Sequence, residues 1–300
     1  MKKEKHPNFI IIGAMKAATT SLYTYLKQHP DIFMTAIKEP MFFNNFQKEN
    51  NFLVKGRKTK KITTFKEYYN LFKDVKDEIA IGEASPAYIF NEDCAQLINQ
   101  HLPNTKIIAV LRQPVDRAYS NFLHARRADK EPISNFELAI KEEAKRKDEN
   151  WSPLYYYMEK GYYTKQLKRY YNLFPQENIK VLLFEDIIKN PIAVSKEIFQ
   201  FLNVEDSFTP DTSQKANVSG TPKGIFGWFI MKLRYYNLIP NIQFSKYLPS
   251  FLISLIFKSA YTKAPKLNKE VKEKLTQQYF KEDIIELEKL INRDLKHWIS

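Results

Sequence analysis

One cysteine, Cys94, stands in 300 residues. A lone cysteine excludes an internal disulfide, fits a reducing compartment, and is expected to be a small buried side chain. Long apolar runs are missing too. No stretch reaches the ~20 apolar residues of a membrane span. The longest candidate, residues 247–257, is interrupted by Pro249, Ser250 and Ser254. Residues 1–9 are basic but lead into a short apolar run with no small-residue cleavage site, whereas a signal peptide needs about 7–15 apolar residues before one. The expectation is a soluble, cytoplasmic chain with no leader and no anchor, touching membranes at most peripherally. Repeats and long low-complexity segments are absent. With 44% hydrophobic and 27% charged residues, the chain has the make-up of a globular protein with a substantial core. Acidic residues are the scarcer charge, 34 against 47 Lys and Arg, for a formal +13. That excess favours anionic partners: phosphorylated cofactors, nucleic acids, acidic glycans or membrane surfaces. It is spread along the chain, and its densest stretches, 55–61 and 141–147, read as solvated faces.

The most informative run is Phe9-Ile-Ile-Ile-Gly-Ala-Met-Lys-Ala-Ala-Thr-Thr20. Phe9 to Ile12 form a buried strand, and Gly13 breaks it. Thr19, Thr20 and Ser21 open an amphipathic helix whose apolar face is Leu22, Tyr23, Tyr25 and Leu26. A strand feeding a helix through a tight turn aims backbone N–H groups and the positive helix end at one spot, an anion site. Lys16 adds a full charge. The order GxxxxGK[ST] of nucleotide-hydrolysing P-loops is lacking. The ligand is therefore phosphate-like, and an ordinary ATPase is disfavoured.

Three further strands are expected at 107–111, 181–184 and, more weakly, 79–82. Continuous apolar strands imply burial on both faces. Helical patterns cover 21–28, 94–101, 115–127, 164–173, 194–202 and 269–294. The alternation predicts a single α/β domain over 1–300, a P-loop-like central parallel sheet flanked by helices, with ligands bound beyond the strand C-termini. Residues 203–265 differ: a turn-rich stretch at 217–223 precedes an aromatic, apolar and basic one at 224–261. They are expected to be helices and loops, a C-terminal cap or acceptor-binding insertion, with ordinary core packing as the alternative.

Arg112 directly follows the strand at 107–111, so its guanidinium belongs at the sheet edge. Pro114 suits a helix start, and Ser120 lies about two helical turns on. An arginine and a hydroxyl on one surface suit a second phosphate, because guanidinium binds oxyanions as a fork. With these two elements together the chain resembles the sulfotransferases that use 3′-phosphoadenosine 5′-phosphosulfate (PAPS). Gly13-Ala-Met-Lys-Ala-Ala-Thr-Thr20 is similar to the family's 5′-phosphosulfate loop, with Ala17-Ala18 in place of the usual Thr/Gly-Gly. Residues 107–120 are similar to its 3′-phosphate element. Lys38-Glu-Pro-Met-Phe-Phe43 and Gly82-Glu-Ala-Ser-Pro-Ala-Tyr88 resemble segments of the heparan-type glycan sulfotransferases, which carry histidine at Met41 and lysine at Ala84.

The resemblance implies in-line transfer of a sulfuryl group to an acceptor oxygen or nitrogen, leaving adenosine 3′,5′-bisphosphate (PAP). Lys16 is then expected to stabilise the leaving oxygen. Gly13, Ala14, Met15, Lys16, Ala17, Ala18, Thr19 and Thr20 are the expected 5′-phosphate contacts. Arg112, Ser120 and Lys223 are those to the 3′-phosphate. Glu39 matches the glycan enzymes' base, and His124, one turn after Ser120, is its rival. The family works without metal, and no Asp or His spacing here argues for one. The expected acceptor is a carbohydrate or glycolipid, with other lipids, small alcohols and phenols open. No nucleic-acid partner is expected. The alternatives are a P-loop-like nucleotide kinase and a non-catalytic polyanion-binding protein.

Overall fold

A computed structural model of the chain describes residues 5–46, 61–128, 130–213, 220–222, 261–263 and 265–300. Five strands, β1 (Phe9–Gly13), β2 (Ile32–Met34), β3 (Ala80–Ala84), β4 (Lys106–Leu111) and β5 (Ile179–Leu183), form one sheet in the order β2-β3-β1-β4-β5. Each neighbouring pair is parallel, with Phe9 beside Gly82 and Lys106, and Leu111 beside Leu183. Every residue of β1 is buried, as are Ile107 to Leu111 of β4. Such strands must be covered on both faces, and the intervening helices cover them.

The helices that position the site are α1 (Thr19–Leu26), α2 (Phe42–Asn45), α3 (Phe65–Tyr69), α4 (Cys94–His101) and α5 (Pro114–Arg127). The apolar stripe of α1 is buried as its spacing requires, through Leu22, Tyr23, Tyr25 and Leu26. Helix α3 opens on a capping box between Thr64 and Glu67. Helix α5 has Pro114 at its first position, and the Gln113 side chain accepts from the Asp116 amide at 2.7 Å. That cap also reaches the C-terminal segment: Gln113 Nε2 donates to Thr276 Oγ1 at 2.7 Å and to the Trp298 carbonyl at 3.3 Å. Trp298 is buried, and its indole donates to Glu185 at 2.6 Å.

After β1 the chain moves to one side of the sheet, forming β2 and β3. It then crosses to the other side, forming β4 and β5. The switch point lies between β1 and β4, where ligands bind in sheets of this kind. The loop after β1 and Arg112 after β4 both sit there.

Several expectations need correcting. The strand expected at 181–184 runs Ile179–Leu183, and Phe184 begins a helix, Phe184–Lys189. The strand expected at 79–82 runs Ala80–Ala84, and β2 was not foreseen. The single helix expected at 269–294 is two, Lys269–Leu275 and Lys281–Ile291, joined by a wider π turn at Thr276–Phe280. Within the 203–265 region, Gly220–Pro222 pairs antiparallel with Tyr261–Lys263. The cap expected there falls largely outside the described residues. No helix among the described residues is long and apolar enough to cross a membrane.

Candidate active site

The loop 13–20 leaves β1 with the Ala14 amide donating to the Val110 carbonyl at 2.7 Å, so it is fastened to β4. Gly13 permits this path: a Cβ there would lie 2.3 Å from Ile89 Cγ2. Lys16 and Ala18 both take left-handed backbone angles, φ 69° and 67°. Ala18 is the N-cap of α1, and its side chain makes no capping bond. The first N–H groups of a helix have no intrahelical acceptor. The N-cap side chain leaves them uncapped at this end of α1, beside Lys16, Thr19 and Thr20.

The second rim element closes against the first. Arg112 Nη1 donates to the Lys16 carbonyl at 3.1 Å, and its guanidinium lies 4.4 Å over the Phe184 ring. The Arg112 carbonyl accepts from Tyr163 at 2.9 Å. Ser120 lies further along α5 and is half-buried. Asp116, between them, is held by Lys272 at 2.8 Å.

Positive charge dominates this rim. Burial, then the charges of Arg127 and Arg112, push the Lys16 amine down to about 8, while Glu39 opposes them. Arg112 and Glu39, expected from sequence, are thus both brought within electrostatic reach of Lys16. Arg127, in the last turn of α5, joins them, and sequence reasoning passed over it. A bound anion has most to offer such a site, since it restores the charge that burial and like neighbours penalise.

His124 lies one α5 turn beyond Ser120. Burial first, then Lys16, Arg127 and Lys130, push its imidazole down to about 4. Arg127 Nη2 lies 3.2 Å from His124 Nδ1. A guanidinium only donates, so Nδ1 accepts and the remaining proton of the neutral ring sits on Nε2.

Glu39 is exposed and ion-paired with Lys38. Its backbone is left-handed (φ 59°), as is that of Met41 (φ 53°). The Glu39 amide donates to the Ala84 carbonyl at 3.0 Å, which brings the segment against the end of β3. Lys223 lies outside the described residues. Among the described residues no cluster of His, Cys, Asp and Glu could hold a metal ion.

The sulfotransferase domain family model matches residues 6–218. A crystal structure of a sulfotransferase from Alicyclobacillus acidocaldarius covers 99% of this chain and is itself covered over 100%, with a TM-score of 0.77 and 32% identity. The membrane-associated sulfotransferase kil1 of Dictyostelium discoideum is 26% identical over 275 residues, 66% of this chain and 56% of that protein. The human bifunctional heparan sulfate N-deacetylase/N-sulfotransferase 3 is 25% identical over 209 residues, 67% of this chain and 23% of that protein. The chain therefore spans about half or less of these curated relatives.

Proposed function

The chain belongs to the sulfotransferase domain family, and on that premise we propose that it moves a sulfuryl group from PAPS to a hydroxyl or amine of an acceptor. The observation that carries this is the joining of two anion-binding elements through Arg112 and the Lys16 carbonyl. One phosphate would suit the end of α1 alone; a guanidinium locked beside it calls for a second. The residues fit the nucleotide on their own chemistry: an uncapped helix end, a lysine whose charge burial and like neighbours penalise, and a stacked arginine.

In this reading the loop amides of 13–20, with Thr19 and Thr20, hold the 5′-phosphate. Arg112, Ser120 and Lys223 take the 3′-phosphate. PAPS, when bound, supplies a sulfuryl group already attached to a good leaving phosphate. Such transfers need positioning and charge stabilisation more than covalent catalysis, as in phosphoryl transfer. Lys16 places its ammonium where charge develops on the departing oxygen.

Glu39 is the proposed base. Among the described residues its carboxylate has no hydrogen-bonding task that would be lost on taking a proton, beyond its pair with Lys38. His124 has its basic nitrogen occupied by Arg127, so its proposed part is to donate through Nε2–H. The proposed acceptor is a carbohydrate or glycolipid. Support comes from residues 38–43, which resemble the glycan enzymes, and from the heparan sulfate named in one relative.

Thermal shift tests the cofactor. PAP at ~100 times its dissociation constant stabilises by about 2.7 kcal/mol, and ATP at the same concentration is expected to do far less. Equal shifts from both would overturn the two-phosphate reading. Full transfer in EDTA would set aside a kinase, which needs Mg²⁺ at its phosphates.

A further inference from the structure

Glu83 is fully buried at the end of β3, where an acidic side chain is costly unless it is well partnered. Its partners are hydroxyls. Ser85 Oγ donates to Glu83 Oε2 at 2.8 Å, and the Tyr68 hydroxyl donates to Oε1 at 3.3 Å. The Tyr88 hydroxyl adds to them electrostatically, favouring the charged carboxylate. Tyr68 and Tyr88 are themselves buried.

Two of these hydroxyls have a second task. Ser85 Oγ accepts from the Met41 amide at 3.0 Å, and the Tyr88 oxygen accepts from the Phe43 amide at 3.3 Å. Both amides belong to the first turn of α2 and its left-handed N-cap, Met41. A hydroxyl has one proton. If that proton goes to Glu83, the oxygen lone pairs are left facing the amides. The carboxylate therefore sets the rotors of the groups that cap the segment carrying Glu39. The segment needs such restraint, because Glu39 and Met41 both sit at positive φ, a conformation that costs a non-glycine residue energy.

We propose that Glu83 is the positioning residue for Glu39: through Ser85 and Tyr88 it fixes the α2 N-terminus and so the place of the Glu39 carboxylate. The proposal rests on the reading of Glu39 as base. Glu83 touches neither donor nor acceptor in this account. Burial pushes its carboxyl up to about 7 and Glu39 pushes the same way, while the three hydroxyls pull it down. The hydroxyls thus favour its ionised, accepting form against the cost of burial.

The test combines amide exchange with turnover. Glu83→Gln keeps the shape but turns part of the acceptor into a donor. The Met41 and Phe43 amides are expected to exchange at least about tenfold faster, with Ile10 and Ile108 in the sheet unchanged. PAP release from PAPS, with water as the acceptor probe, is expected to fall ~10–100-fold in kcat with little change in KM for PAPS. Glu83→Asp should recover part of it. If Glu83→Gln does not fold, Ser85→Ala should speed Met41 exchange alone and Tyr88→Phe that of Phe43. Unchanged exchange, or fast exchange with wild-type turnover, overturns the proposal. Glu39→Gln keeps the two readings apart: full turnover there sinks the base, whereas loss there with normal Glu83→Gln turnover sinks only the positioning role. If Glu83 acts through Glu39, the double variant is no slower than Glu39→Gln alone.

Discussion

Arg112 reaches across 96 residues of sequence to hold the carbonyl of Lys16 at 3.1 Å. One guanidinium thus does two things: it shapes the loop after β1, and it presents its remaining N–H groups at the sheet edge. Arg112→Ala should weaken PAP binding by about 1.5–3 kcal/mol, the scale of a hydrogen bond to a charged group. Arg112→Lys should recover little, because an ammonium cannot repeat the fork or the stacking on Phe184. Calorimetric titration with PAP measures both. Equal affinity in wild type and Arg112→Ala would remove Arg112 from the nucleotide site.

The Lys16 amine, pushed down to about 8, gives nucleotide binding a pH dependence with a definite sign. Below that pH the lysine is charged and attracts the anion. Above it, binding must also recruit a proton. PAP affinity is expected to be level on the acid side of 8 and to fall by up to about tenfold per pH unit on the alkaline side. Lys16→Met should flatten the profile. In Lys16→Ala, PAP should still bind, and turnover should fall about 10²–10³-fold, the usual loss for one preorganised donor. Near-normal turnover in that variant would refute the leaving-group role.

For His124, a ring held neutral down to about 4, with Nδ1 facing Arg127, predicts no inflection from this residue between pH 5 and 8. His124→Gln can still present an N–H donor, so it should keep more activity than His124→Ala. If both variants are equally dead while Glu39→Gln is active, the base has been misassigned.

How much of this was legible beforehand follows from the range of each interaction. The strands β1 and β4 announce themselves because Phe9–Ile12 and Ile107–Leu111 are apolar and buried throughout, and Cys94–His101 carries its own periodicity and stops before Pro103. Three-residue β2 is too short for any period to show, and Lys180 hides the start of β5. The π turn at Thr276–Phe280 has no local signature; it is where Thr276 meets Gln113, 163 residues away. Arg127 is one of three basic residues closing α5, and only the tertiary fold brings it to Lys16. Glu83 did have a signal, an acid inside the buried strand Ala80–Ala84. Its meaning lay in Tyr68, which the sequence puts in another element.

The alanine pair in the loop also changes meaning. Ala17-Ala18 stands where the resembling family has Thr/Gly-Gly. At position 18 the amide is the same in alanine and glycine, so what differs is conformation. Ala18 sits at φ 67°, ψ 15°, a region that costs a residue with a Cβ about 1–2 kcal/mol. Glycine would relieve that strain, while giving back about 0.4–1 kcal/mol through a freer unfolded chain and losing a methyl packed against the core. Ala18→Gly is therefore expected to be neutral or to stabilise by up to about 1 kcal/mol, with PAP affinity unchanged. Ala18→Val, branched at Cβ where φ is positive, should destabilise and weaken PAP binding together, because it displaces the N–H groups proposed to receive the phosphate. Thermal unfolding of the three proteins with and without PAP decides it. A marked loss of stability in Ala18→Gly would show that the methyl, not the backbone angle, is what position 18 contributes.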